Sequence, residues 1–159
     1  MTVLFVLYRV LLASLGKNKK LKGAGIMPFG FIYRCNKCGY SLRVSGLWEY
    51  YVDRKGFRQR YGHPGPNSNQ AKKAGVKGFT FQGYCPTCRE VHEAIVIEFV
   101  EPQSGSLGAC LAYSNSDVQH KEFDPVCDIC GTKLIDDLEN EVCPRCNVGH
   151  FIEESRFMS

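Results

Sequence analysis

The sequence predicts a mostly β protein made of two small hairpin modules, the first enlarged by a long hairpin-and-loop insertion and the two joined by a linker. Three observations predict it. Nine cysteines stand in 159 residues, and eight of them form C-x-x-C pairs: Cys35/Cys38, Cys85/Cys88, Cys127/Cys130 and Cys143/Cys146. Turn-forming residues follow most of these pairs. The pairs are flanked by runs of strand type, such as "FTFQGY" before Cys85 and "EVHEAIVIEFVE" after Cys88.

Adjacent pairing with one cysteine left over suits metal ligation better than a disulfide framework. A C-x-x-C turn at a hairpin tip aims two thiolates at one point. A second such turn completes a tetrahedron with metal–sulfur bonds of about 2.3 Å. The backbone after the second cysteine must fold back toward the sulfur, often at positive φ, which favours glycine and then asparagine. Gly39, Gly131 and Asn147 fit this requirement; Arg89 does not. Pro86 and Pro144 follow the first cysteine of their pairs and preset φ for the turn. The expected cofactors are two Zn2+ ions, with iron in the Cys127/Cys130/Cys143/Cys146 set as the alternative.

The simplest pairing is sequential. Cys35/Cys38 would join Cys85/Cys88 across 46 residues, and Cys127/Cys130 would join Cys143/Cys146 across only twelve, a short loop that closes cheaply. A cross-braced pairing, first with third and second with fourth, is the alternative. His63, His92, His120 and His150 are read as surface or packing residues, because the cysteines already fill two sites. Cys110 is read as a small buried apolar residue.

Between the first two pairs, "LWEYYVDRKGFRQRYG" is a hairpin: Trp48, Tyr50 and Val52 alternate, Arg54-Lys55-Gly56 turn, and Phe57 to Tyr61 return. "HPGPNSNQAKKAGVKG" reads as a loop. This insertion interleaves Arg54, Lys55, Arg58, Arg60, Lys72, Lys73 and Lys77 with Trp48, Tyr50, Tyr51, Phe57 and Tyr61. Cations for phosphate and flat rings for bases are what sequence-tolerant single-strand binders use. Trp48, Arg54, Lys55, Arg58, Arg60, Tyr61, Lys72, Lys73 and Lys77 are the candidate contacts. Aromatics at strand spacing also suit a sheet's own core.

The formal charge of +4 describes no part of the chain. Eight thiolates subtract eight charges and two divalent ions return four, which brings the loaded protein near zero. Residues 1–26 hold five cations and no acid, whereas residues 89–159 hold fourteen acids against five cations. The expected organisation is an N-terminal extension at 1–26, a first module at 27–101, a linker at 102–124 and a second module at 125–159. Two readings of the extension stay open. It is a short apolar helix, or it is leader DNA read as protein from too early a start and absent from a native chain that begins at Met27, since Lys-Gly-Ala at 22–24 can be encoded by a purine-rich stretch of ribosome-binding type. A membrane span needs about 20 apolar residues; "TVLFVLYRVLLASLG" is shorter and Arg9 interrupts it. Its charge follows the apolar run, contrary to a secretory signal.

The cysteine pattern with glycine after C-x-x-C resembles the zinc-ribbon and rubredoxin-like superfamily. "MPFGFIYRCNKCGYSL" looks like the opening of small bacterial zinc-ribbon proteins of regulatory type. "CDICG", twelve residues, then "CPRC" with "GHF" is similar to the short rubredoxin domain of rubrerythrins, which implies iron and electron transfer. Thr132 departs from that pattern, where an aromatic is usual, and no di-iron bundle with Glu-x-x-His motifs is present. A short hairpin buries too little apolar surface to fold unaided, which gives zinc a reason to be there.

All-cysteine sites leave no coordination position open for substrate water. No phosphate-binding glycine loop or nucleophile elbow occurs. The expectation is therefore a non-enzymatic, cytoplasmic, zinc-binding module with no small-molecule substrate. It would associate with nucleic acid through the insertion, or act as a protein adaptor through the acidic second module.

Overall fold

The computed structural model describes residues 29–105, 108–109, 112–113, 115 and 117–158. The expectations for the N-terminal extension and for Cys110 lie outside these residues. Seven strands form one sheet: β1 (Phe29–Cys35), β2 (Ser41–Val52), β3 (Arg58–Arg60), β4 (Val76–Cys85), β5 (Glu90–Gln103), β6 (His120–Glu122) and β7 (Phe151–Met158). The order across the sheet is β6-β5-β4-β2-β1-β7, and β3 pairs β2. Every pairing is antiparallel.

The mostly β expectation holds, but the sheet is not clearly split into two hairpin modules. The reason lies in β6 and β7. Each returns from the C-terminal half to an edge of the sheet that the N-terminal half began: β6 against β5, β7 against β1. Residues expected as a linker also contribute to the interior, where Ala109, Ala112 and Tyr113 pack with Phe79 and Phe99.

The predicted insertion hairpin forms. Asp53 closes its turn by accepting the backbone N–H groups of Lys55 and Phe57 on Oδ1, both at 2.9 Å, and Gly56 takes φ of 86°. β3 then pairs the end of β2 that β1 leaves uncovered, with Tyr50 opposite Arg60 and Val52 opposite Arg58. The segment expected as loop contains a short helix, α1 (Asn69–Ala74). Ser68 caps it by accepting from Ala71 N–H at 3.1 Å, and Gly75 ends it at φ 74°. The cap signature S-x-x-A…G is in the sequence, and fully buried Ala71 supplies the anchoring contact. Among the described residues no helix is long and apolar enough to cross a membrane.

Three apolar clusters form the interior: Tyr51, Phe79 and Phe99 with their neighbours; Tyr33, Val44, Tyr84, Leu138 and Phe151; and Phe81, Cys85, Cys127 and Leu134. On the face of the sheet that carries Trp48 and Gln82, a chain of polar contacts runs across β2, β4, β5 and β3. Trp48 Nε1 donates to Ser45 Oγ at 2.7 Å, Ser45 Oγ donates to Gln82 Oε1 at 2.9 Å, and Gln82 Nε2 donates to Glu93 Oε2 at 3.2 Å. Arg60 donates to the same Glu93 oxygen and lies 4.9 Å over the Trp48 ring, closing the loop of contacts.

Candidate metal centres

All four C-x-x-C turns adopt one local geometry. In each, the residue after the second cysteine donates its N–H to the carbonyl of the first: Gly39 to Cys35, Arg89 to Cys85, Gly131 to Cys127 and Asn147 to Cys143, at 2.7 to 3.1 Å. All four residues are left-handed, with φ of 71°, 63°, 73° and 61°. Arg89, whose residue type does not suit the position, adopts the conformation nonetheless. Its side chain offsets part of the cost, which is about 1–2 kcal/mol for a residue with a Cβ, by donating to Cys143 O at 3.1 Å. Further N–H groups point at sulfur: Lys37 at Cys35, Cys88 at Cys85 and Gly149 at Cys146, at 3.3 to 3.4 Å.

The turns assemble in a nested pairing, and both pairings weighed from the sequence are corrected. Cys35, Cys38, Cys143 and Cys146 form one set; Cys85, Cys88, Cys127 and Cys130 form the other. Strand order is the physical reason. β1 and β4 run parallel with β2 between them, so the turns that end them emerge from the same end of the sheet. Two strand spacings separate these turns by about 9–10 Å, too far to share an ion. Each therefore takes its partner from the chain that passes nearest. The segment leaving β6, beside β5, brings Cys127 and Cys130 to the β4–β5 turn. The segment entering β7, beside β1, brings Cys143 and Cys146 to the β1–β2 turn.

The sulfurs fit a tetrahedral ion. Bonds of 2.3 Å imply ligand–ligand edges of about 3.8 Å. Cys35–Cys146 and Cys38–Cys143 measure 3.7 and 3.6 Å, and Cys85–Cys130 and Cys88–Cys127 measure 3.4 and 3.8 Å. In each set one thiol is pulled down to about 6: Cys130 by the Thr132 hydroxyl, and Cys146 by the backbone N–H groups of Val148 and Gly149. Such a thiolate is the form a cation binds. All eight cysteines are unbridged.

The two centres are tied to each other and to the sheet. Arg89 of one reaches Cys143 of the other. Tyr84 and Ile135 exchange backbone hydrogen bonds at 2.8 and 2.9 Å, fastening the segment between the C-terminal turns onto β4. Thr87 and Thr132 hydroxyls meet at 2.8 Å across the second set. Gly149 lets Cys35 approach, since a Cβ there would stand 2.3 Å from its sulfur.

Outside these sets, His63 faces buried Glu49 at 3.3 Å, His120 faces Glu122 at 3.3 Å, and His150 Nδ1 lies 2.9 Å from Asn140 O. His92 differs: it groups with Cys127 and Asp128. Nothing in the sequence marks that grouping, because β5 and the third C-x-x-C turn meet only in three dimensions.

The candidate nucleic-acid residues are dispersed. Tyr61 is core, with 1% exposure. Trp48 is half-buried beneath Arg60, which pairs with Glu93 at 3.2 Å. Lys77 donates to Val100 O at 2.9 Å. Arg54, Lys55 and Arg58 are exposed at the β2–β3 hairpin, and Lys72 and Lys73 on α1. The exposed ring at the hairpin tip is Phe57, at 63%, between these cations. It was legible as part of the aromatic interleaving but not as the one ring left outside the core.

Fold and site together define a mostly β protein with two closed four-cysteine clusters capable of coordinating metal ions, an arrangement consistent with the zinc-finger-like class. The sequence matches no family model, and neither a curated protein nor a solved structure matches it.

Proposed function

We propose that this chain is a non-enzymatic zinc module in which two Zn2+ ions pin one end of the sheet, and that it binds single-stranded nucleic acid through the β2–β3 hairpin tip. Zinc is the ion proposed because four thiolates saturate it and leave it the structural role of cross-linking a small sheet, the reason for a metal that the fold supplies. Unbridged thiols suit a reducing cytoplasm. The observation that carries the nucleic-acid reading is Phe57. A phenyl ring 63% exposed, flanked by exposed Arg54, Lys55 and Arg58, offers a stacking face beside phosphate-binding cations. The Trp48 and Tyr61 rings are held within the fold and leave this role to Phe57.

Fluorescence anisotropy with a labelled single-stranded oligonucleotide tests it. Binding at low salt should weaken steeply as salt rises, and Arg54→Glu with Arg58→Glu should abolish it. Absence of binding at low salt rejects the proposal. Elemental analysis of the natively purified chain tests the ion: a colourless protein with both four-cysteine sets loaded with zinc is expected, and a red protein containing iron would favour the electron carrier.

A protein adaptor is the second reading, favoured by Ile129 and Val148. These side chains, 72% and 71% exposed, project from the C-terminal turns in an acidic segment. A stoichiometric partner lost on Ile129→Asp with Val148→Asp would support it, and an unaffected or empty pull-down would count against it.

A further inference from the structure

His92 is a mostly buried imidazole without the usual satisfaction of its ring nitrogens. It sits on β5 opposite Gly83, and its side chain is 13% exposed. Nε2 is buried with no hydrogen-bond partner among the described residues. Nδ1 faces Asp128 Oδ1 at 3.4 Å. That is long for an N–H···O bond, which is ordinarily about 2.7–3.2 Å. It matches the edge of a ligand tetrahedron with nitrogen and oxygen bonds of about 2.1 Å, which is about 3.4 Å. A ring nitrogen of His92, an oxygen of Asp128 and the Cys127 sulfur all lie within 4.8 Å of one another.

We propose that His92, Asp128 and the Cys127 sulfur form a third metal site, for a borderline divalent cation such as Zn2+ or Co2+, with Cys127 bridging to the ion of its four-cysteine set. The inference rests on the reading that this set holds zinc. The donors suit the ion: imidazole, carboxylate and thiolate are the ligand types of zinc. So does the charge. Four thiolates around one divalent ion leave a formal −2, and the Asp128 carboxylate adds −1, a field that draws in a second cation. Unlike the closed sets, three protein ligands leave a coordination position free. Asp128 is 77% exposed, so that position opens to solvent. This ion would be the exchangeable one, able to take a small exogenous ligand.

The test is metal stoichiometry on the full chain. Reduced protein is dialysed to equilibrium against a saturating concentration of free Zn2+, and zinc bound per chain is taken as the excess over the dialysate. Three ions are expected in the wild type and two in His92→Gln and in Asp128→Asn. Asp128 is exposed enough that its variant keeps the fold, so the result does not depend on His92→Gln folding. In the Co2+ form, added azide should shift the visible absorption of the third ion and leave the thiolate-rich spectrum of the other two unchanged. A wild-type count of two at saturation overturns the third site while leaving the two closed centres standing. A third ion retained in both variants overturns it as well, since the ion then lies elsewhere. A count below two overturns this proposal together with the zinc reading beneath it.

Discussion

The nested pairing makes a prediction that no other pairing shares. Cys38 stands with Cys143 and Cys146, whereas Cys88 stands with Cys127 and Cys130. Replacing Cys38 and Cys146 together by serine damages one centre and should leave the other four-cysteine centre loaded. Replacing Cys38 and Cys88 together damages both and should leave neither four-cysteine centre loaded. Sequential pairing reverses these two outcomes, and a cross-braced pairing instead spares one centre in the Cys38/Cys130 double variant. Stability supplies a magnitude. The first centre links residues 105 apart in sequence, Cys38 to Cys143, and the second links Cys88 to Cys127 at a separation of 39. On the chain-entropy account of a cross-link, these loops are worth about 4.8 and about 3.9 kcal/mol. Loss of the first centre should therefore destabilise the chain by about 1 kcal/mol more than loss of the second. That is roughly 2–4 °C in Tm for a protein of this size. Zinc analysis and thermal unfolding of the Cys38/Cys146 and Cys88/Cys130 double variants measure both quantities. A four-cysteine centre still loaded in the Cys38/Cys88 variant would refute the assignment of the centres and the strand-order reasoning behind it.

Further predictions test separate features. Gly149→Ala would drive a methyl group against the Cys35 sulfur, so it should cost the first centre its ion and leave the second loaded, by elemental analysis. Arg89→Ala keeps the left-handed strain while losing the charged bond to Cys143 O. It should destabilise by about 1.5–3 kcal/mol, whereas Arg89→Gly relieves the strain and should cost less; urea midpoints rank the two. Phe57→Ala should weaken single-strand binding by about 1–3 kcal/mol with Tm unchanged. Tyr61→Ala, by contrast, empties a core position and should cost several kcal/mol of stability, roughly in the range for large-to-small aromatic changes. Equal effects of the two on binding alone would remove the distinction drawn between tip and core.

Local rules were legible in the sequence. The eight ligand-type sulfurs, the left-handed residue after three of the four pairs, with Arg89 the exception, and the insertion hairpin around Asp53 to Phe57 all depend on near neighbours. The Ser68 and Gly75 caps also depend on near neighbours, but the segment read as a loop, because a helix of six residues needs buried Ala71 to hold it and that contact comes from outside the segment. Rings and cations in one stretch were equally plain, but their roles were not. Tyr61 and Phe57 have similar propensities and lie four residues apart; only the packing of α1 and β2 sends one inward and leaves the other at the tip.

What this sequence determined by itself is the chemistry of each half-site: two sulfurs, a tight turn and N–H groups folded back on them. Which half-sites meet was decided by the sheet. β2 lies between β1 and β4, so the nearest turns in sequence stand two strand spacings apart, while distant ones arrive alongside through β6 and β7. The same docking sets His92 beside Asp128. Contacts of this kind depend on the order of strands, a long-range property that residue spacing does not encode.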